Sequence, residues 1–322
     1  MSALSYLDAG RLALQQEMRR DPLVWALGED LGRGGVFGQY RGLVEEFGPE
    51  RILDTPISEA AIMGTAVGAA LVGTRPVVEM RFSDFALCAV DELVNQAAKA
   101  RYMFGGQGRV PLVVRQPSGM WRSSAAQHSQ SLEAWYAHIP GLVVVTPATP
   151  ADNFGLLKAA IRCDDPVVYM EHKDLWGVTG EVDDSAPPLP LGKARLARRG
   201  EDATIVTWSG MLRVVEATAD LLKGDASVEI IDLRTLYPWD RDAVLSSAKR
   251  TGRLLIVHEA VETGGFGAEI AASAGEALFG DLKAPVRRLG APRIPIPYAP
   301  PLEDICRVNP AQIADAVRGL LR

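Results

Sequence analysis

Short apolar runs rich in Val, Ile and Leu alternate along this chain with longer stretches of helical periodicity. Runs that are apolar on both faces belong to strands covered on both sides, so the alternation predicts parallel sheets flanked by helices, an α/β fold. Leu7 to Arg19 has the spacing of an amphipathic helix and stops before Asp21-Pro22. A strand is expected over 23–27, a short helix over 40–47 and a strand over 51–53. A helix of small residues runs from Ser58 to about Val72, followed by a strand over 76–80. Next come a long helix from Phe85 to Phe104, capped by Asp84, and a strand over 111–115. A helix over 132–138, a strand over 142–145, a helix over 151–162 and a strand over 167–170 complete this series.

The stretch 173–200 breaks the pattern with Asp183-Asp184, the run Pro187-Pro188-Leu189-Pro190 and a basic patch. It reads as a connection between domains. A second alternating series follows, with strands over 203–207, 228–231, 253–258 and 286–289. Asn309-Pro310 provides a capping side chain and an N1 proline for a last helix to about Leu321. A chain of 322 residues exceeds what one core usually sustains. The expected division is a first domain over 1–185, a linker over 186–200 and a second domain over 201–322, each with a mainly parallel sheet.

With 48% hydrophobic residues, 23% charged residues and a net charge of -6, the chain has no electrostatic footprint for nucleic acid or an anionic membrane. No apolar run is long enough to span a bilayer and no signal-peptide pattern opens the chain, so the cytoplasm is the expected compartment. Cys88, Cys163 and Cys306 stand far apart without a CxxC pair. The four histidines form no HExxH, so no protein-bound catalytic metal is expected.

Three segments carry candidate chemistry. In Asp54-Thr55-Pro56-Ile57-Ser58-Glu59, Ser58 is a natural N-cap that puts Glu59 in the first helical turn, where the macrodipole favours a carboxylate. The residues after it are almost all small or apolar, so the helix is expected to be buried over most of its circumference and Glu59 to need a partner. A first-turn glutamate often does no more than meet the dipole; burial of its surroundings favours a function here. The long segment from Gln116 to Ser131 follows a strand, and it offers His128 as a proton donor or acceptor. A loop histidine bonded only to backbone is an equally good reading of that residue. At the end of another strand, Phe82 and Phe85 could stack on a flat ring, although core packing is the commoner fate of phenylalanine. Arg81 is costly to bury unpaired there.

Gly264-Gly265-Phe266-Gly267 lacks the third glycine of a dinucleotide loop and reads as a tight strand-to-helix connection. No GxxxxGK[ST] and no GxSxG occur, which removes the usual phosphate-loop and hydrolase readings.

These segments resemble the beta subunits of the pyruvate, branched-chain 2-oxo acid and acetoin dehydrogenase complexes, over nearly the whole chain. The matches include Gly28-Glu29-Asp30, DTPISE at 54–59, Ala98-Lys99-Ala100-Arg101-Tyr102, AQHSQS at 126–131 and Pro140-Gly141-Leu142. In the second half they include Ile231-Asp232-Leu233-Arg234-Thr235, GRLLIVHEA at 252–260 and TGGFGAEI at 263–270. The resemblance implies a transketolase-like pyrimidine-binding domain followed by a transketolase C-terminal-like domain. It also implies thiamine diphosphate as cofactor. Glu59 would bond the ring nitrogen of its aminopyrimidine and favour the tautomer that deprotonates the thiazolium carbon. Phe85 would stack on that ring, Ile57 would line its pocket, and His128 would face substrate and the incoming lipoyl group.

The resemblance further implies oxidative decarboxylation of a 2-oxo acid, or of an acetoin-type substrate, with acyl transfer to lipoamide on an acyltransferase. Relatives hold the diphosphate and Mg²⁺ through a GDG motif that this chain lacks. An alpha subunit would supply it in an alpha2-beta2 heterotetramer. Arg81 stands where many relatives carry glutamine, so it either neutralises a substrate carboxylate or marks an unusual substrate. Cys163 replaces an aspartate of a structural potassium site, which leaves that ion open. Half of a split transketolase-like transferase and a non-catalytic scaffold of the same fold are the alternatives.

Overall fold

In the computed structural model, which describes residues 1–322, the apolar runs form strands and the amphipathic stretches lie over them. Strand β1 (Ser2–Ser5) leads into helix α1 (Tyr6–Arg20), whose cap is the Ser5 side chain accepting from the Asp8 amide. Tyr6, Ala9, Gly10, Ala13, Leu14, Glu17 and Met18 make the buried stripe of α1, the spacing of a helix with one face on a core. The chain continues through β2 (Val24–Gly28), α2 (Leu43–Phe47), β3 (Ile52–Asp54), α3 (Glu59–Leu71) and β4 (Arg75–Glu79).

The expected long helix after β4 is a continuous helical run with changing pitch: a 3₁₀ segment at Phe85–Ala89, a π segment at Asp91–Ala97 and helix α4 (Ala98–Met103). Asp84 does not cap this run, because its backbone is already helical at φ -61° and ψ -38°. There follow β5 (Val113–Ser118), α5 (Glu133–Ala137), β6 (Val143–Val145), α6 (Pro150–Arg162), β7 (Val167–His172) and β8 (Thr179–Val182). Strands β1 and β8 pair antiparallel, a ribbon without a counterpart in the sequence reading.

The chain divides into two compact units. The first comprises Met1–Ser118 and Trp135–Leu191, and the second Gly119–Ala134 and Gly192–Arg322. In the first, β6-β7-β5-β4-β2-β3 are neighbours in a parallel sheet. Its core includes Leu14, Val24, Ala26, Val77, Val113, Phe154, Leu157 and Tyr169.

The second unit carries β9 (Arg195–Arg198), β10 (Ala203–Thr207), α7 (Met211–Leu221), β11 (Val228–Asp232), β12 (Thr235–Tyr237) and α8 (Arg241–Thr251). β13 (Leu254–Val261), α9 (Gly267–Ala277), β14 (Arg287–Ala291), α10 (Pro300–Cys306) and α11 (Pro310–Leu321) complete it. Its sheet has the order β14-β13-β10-β11-β9, parallel except for the antiparallel edge β9. Two details differ from the sequence reading. β9 lies inside the stretch 186–200 read as linker, where the mixed, charged sequence of an edge strand shows little periodicity. The segment carrying His128 groups with the second unit rather than with the strand that precedes it. Asn309 caps α11 in a capping box with Gln312.

Candidate active site

In a parallel sheet, ligands gather beyond the carboxyl ends of the strands. Three adjacent strands, β4, β2 and β3, end here in acidic or polar segments: β4 before Arg81 and Phe85, β2 before Glu29 and Asp30, and β3 before Ile57 and Glu59. Short bonds tie these segments together. The Thr55 amide donates to the Gly28 carbonyl at 3.0 Å, and the Leu31 amide donates to Asp54 Oδ1 at 3.1 Å.

Glu59 is the first residue of α3 and is half-buried. Ser58 stands at the cap position but makes no capping bond. Its φ of -169° lies outside the -69° to -131° at which Ser5, Asp240, Asn309 and Thr149 reach back to their helices. Nor is α3 buried around most of its circumference. Ile62, Met63, Ala66, Val67 and Ala70 face the core, while Ala60, Ala61, Thr65 and Gly68 lie open on the other side. Hydrophobicity alone predicted burial, but the open residues are small ones that let another backbone come close. The same surface exposes Leu71 and Val72, and Ile57 before it is 79% exposed.

Glu59 lies near enough to Glu29 for its charge to act on that carboxyl. Burial first, and then the Glu59 charge, push the Glu29 carboxyl above the ordinary range, while Arg81 pulls it down. The guanidinium of Arg81 pairs with Asp30 and lies 3.9 Å from Glu29. Asp30 also pairs with Arg33 and sits at φ 62°, a left-handed conformation uncommon outside glycine. Arg81 is therefore already held by acids of its own chain. Phe85 is half-buried and meets Phe82 edge to face, with ring centroids 5.4 Å apart. Sequence reasoning used Glu29 and Asp30 only as a point of likeness. Their signal was an acidic pair directly after the apolar run 24–28, at the carboxyl end of a predicted parallel strand.

His128 belongs to the second unit. It ends a 3₁₀ turn at Ala126–His128 and is half-buried. Its segment holds three non-glycine residues at positive φ, Arg122, Ser123 and Ala125, a concentration of strain of the kind found at binding loops. Glu259 fixes the segment, accepting from the Met120 amide at 2.7 Å and from Ser131 Oγ at 3.2 Å. A cavity of about 330 Å³ lies here, lined among others by Gln127, Ser129, Ser131 and Glu259. The glycine-rich connection after β13 is a tight turn into α9, as its residues predict. Added Cβ atoms at Gly265 and Gly267 would come within 2.6 and 2.8 Å of the His258 ring.

No group of three or more His, Cys, Asp and Glu side chains is arranged to hold a metal ion. Beside Cys163, the Arg75 guanidinium takes the carbonyl oxygens of Ile161 and Cys163 at 3.1 and 3.0 Å and pairs with Asp164 at 2.6 Å. No helix is long and apolar enough to cross a membrane.

Residues 2–178 match the transketolase pyrimidine binding domain and residues 192–313 the transketolase C-terminal domain. The beta subunit of 2-oxoisovalerate dehydrogenase of Bacillus subtilis is 45% identical, covering 99% of each chain. The beta subunit of acetoin:2,6-dichlorophenolindophenol oxidoreductase of Cupriavidus necator is 46% identical over 96% of this chain and 95% of its own. The pyruvate dehydrogenase E1 component subunit beta of Rhizobium meliloti is 44% identical over 99% of this chain and 70% of its own. Among solved structures, a split-gene transketolase in an inactive beta4 tetramer shares the fold, with a TM-score of 0.80, 22% identity and 99% of both chains covered. The chain belongs to the family of beta subunits of the 2-oxo acid and acetoin dehydrogenases, built from a transketolase pyrimidine-binding domain and a transketolase C-terminal domain.

Proposed function

We propose that this chain is the beta subunit of a thiamine-diphosphate-dependent dehydrogenase that decarboxylates a 2-oxo acid, or cleaves an acetoin-type substrate, and passes the acyl group to lipoamide on an acyltransferase. The observation that carries the reading is Glu59: a carboxylate at the mouth of three parallel strands, coupled to Glu29, on a helix whose outer face of small residues is uncovered. Such a face suits close approach by another chain, for which family membership supplies the candidate, an alpha subunit in an alpha2-beta2 tetramer.

When bound, thiamine diphosphate supplies the carbon nucleophile and the electron sink for loss of the carboxylate. Glu59 holds a proton at the ring nitrogen of the aminopyrimidine. Phe85 stacks on that ring, and Ile57 offers apolar surface beside it. His128 holds or delivers a proton at the substrate oxygen. Arg81 either balances Glu29 and Asp30 or exchanges them for a substrate carboxylate. The diphosphate and Mg²⁺ fall to the alpha chain, since no GDG occurs here. The Ile161 and Cys163 carbonyls each accept from Arg75, and each keeps a second lone pair that a potassium ion could use.

The test is reconstitution with the alpha chain. Thiamine diphosphate should raise the melting temperature of the complex, lipoamide should be reduced in the presence of a 2-oxo acid, and Glu59→Gln should abolish turnover. Full activity of Glu59→Gln would remove that residue from the mechanism. Ketol transfer without lipoamide reduction would point to a transferase instead.

A further inference from the structure

The loop from Gly28 to Gly42 is rich in glycine, and its first residues, Glu29 and Asp30, stand at the candidate site. Its far end is fastened by one buried carboxylate. Glu79, the last residue of β4, lies opposite Gly28 on one neighbouring strand and Arg115 on the other, and is 3% exposed. Tyr40 Oη donates to Glu79 Oε2 at 3.0 Å, and Gln39 Nε2 donates to Oε1 at 3.4 Å. Gln39 in turn accepts from the Phe37 amide at 2.9 Å. The Tyr40 amide donates to the Gly34 carbonyl at 2.8 Å, which ties this anchor back to the glycine turns that follow Asp30.

We propose that Glu79 is a positioning residue, a buried clasp that holds the Gly28–Gly42 loop to the sheet and thereby sets Glu29 and Asp30 at the site. The claim that this matters for turnover rests on the function proposed above; the clasp itself does not.

The groups facing Glu79 give the clasp a pH response. Arg115, from β5, places Nη1 3.5 Å away but spends two donors on Glu171 of β7, at 2.8 and 3.0 Å. Tyr40 and Gln39 approach from the loop. With both carboxylates ionised, this buried cluster carries two negative charges against one positive charge. Burial is the main reason that the Glu79 carboxyl titrates at about 7, with Glu171 adding to the rise and Arg115 opposing it. An opened loop would let water reach the carboxylate and return it toward its ordinary range. By linkage, the closed loop is favoured while Glu79 is protonated and loosens as pH rises through about 7.

Hydrogen exchange on the full-length chain, corrected for intrinsic rates, tests this. Tyr40→Phe removes the stronger loop donor and should raise exchange of residues 29–42 about tenfold, with β5 and β7 unchanged. In the unaltered chain, protection of the same segment should fall about tenfold as pH rises from 6 to 8. Glu79→Gln, which stays neutral, should abolish that pH dependence. Unchanged exchange in Tyr40→Phe, or equal acceleration across the whole first unit, overturns the clasp. Persistence of the pH dependence in Glu79→Gln assigns it to another group and overturns the role of Glu79. None of these readouts depends on Glu59 or on the cofactor.

Discussion

A single methyl group at Gly141 should be far more damaging than the same methyl at Gly73, although the two backbones are alike. Gly141 has φ 101° and Gly73 has φ 103°. A side chain at either position costs about 1–2 kcal/mol for a left-handed conformation. At Gly73, at the end of α3, nothing lies within 4 Å of the added Cβ. At Gly141 the Cβ would sit 1.9 Å from the carbonyl oxygen of Ala98 and 2.8 Å from its carbonyl carbon. Those are backbone atoms of the first turn of α4 and cannot rotate aside. To reach an ordinary 3.4 Å contact, the backbones must part by about 1.5 Å, and forced core shifts of this kind cost about 1–3 kcal/mol. Lys99 Nζ, bonded to the Pro140 carbonyl at 2.8 Å, ties the same two segments together. Restriction of the unfolded chain is common to both variants and cancels in their difference. The expected result in urea is a Gly141→Ala chain less stable than Gly73→Ala by about 1–3 kcal/mol in the first unfolding transition. Equal losses in the two variants would refute the steric argument. The contact bears on the site because α4 closes the helical run that begins at Phe85.

Two buried groups should give the two units opposite responses to pH. The raised Glu79 carboxyl, at about 7, retains a proton that the unfolded chain has released. Its contribution to stability is therefore full below the ordinary carboxylate range and falls as pH rises to about 7, by up to about 3 kcal/mol. Burial holds His258 down to about 4, so its contribution is full above about 6.5 and is lost as pH falls toward 4, by a similar amount. Denaturation midpoints of Glu79→Gln and His258→Gln at pH 5 and 8 should each lose one of these slopes; the same slope in both variants would contradict the assignment. Glu17 is fully buried, with its carboxyl held low against burial by bonds from Arg162 and Arg20. Glu17→Gln should destabilise by about 2 kcal/mol at pH 7, a deficit that disappears as acid protonates the native carboxyl. Arg81→Gln should leave thermal stability within about 1 kcal/mol but change the ratio of kcat/KM values across a panel of 2-oxo acids; identical ratios would place Arg81 outside the substrate pocket.

How much of this was legible in the sequence depends on whether the governing interaction is local. The cap of α11 and the core stripe of α1 were readable, because a capping side chain and a 3.6-residue period lie within a few positions of what they determine. Asp84 and Ser58 show the limit: both are good capping residues, yet neither has the backbone that puts a capping side chain in place. The β1–β8 ribbon joins residues about 175 positions apart along the chain and has no local signature.

Glu59 and Glu79 show the same limit within the site. Glu59 could be singled out because an acid at the head of a helix of small residues contradicts its surroundings. The apolar composition of α3 suggested burial all round, whereas its outer face is open and made of small residues. Glu79, Arg115 and Glu171 each stand at or near the carboxyl end of an apolar strand run, so each contradicts its surroundings in the same way. What the linear pattern could not show is that parallel register sets Glu79 beside Arg115, while the next strand brings Glu171 within bidentate reach of the same guanidinium. An isolated charge in an apolar run is a warning of function or pairing, and only the order of strands in the sheet decides between them. For Arg115 and Glu171 that order supplies the pair, and Glu79, with two carboxylates to one guanidinium, is left between the two; for Glu59, which stands on a helix, the turnover of Glu59→Gln decides.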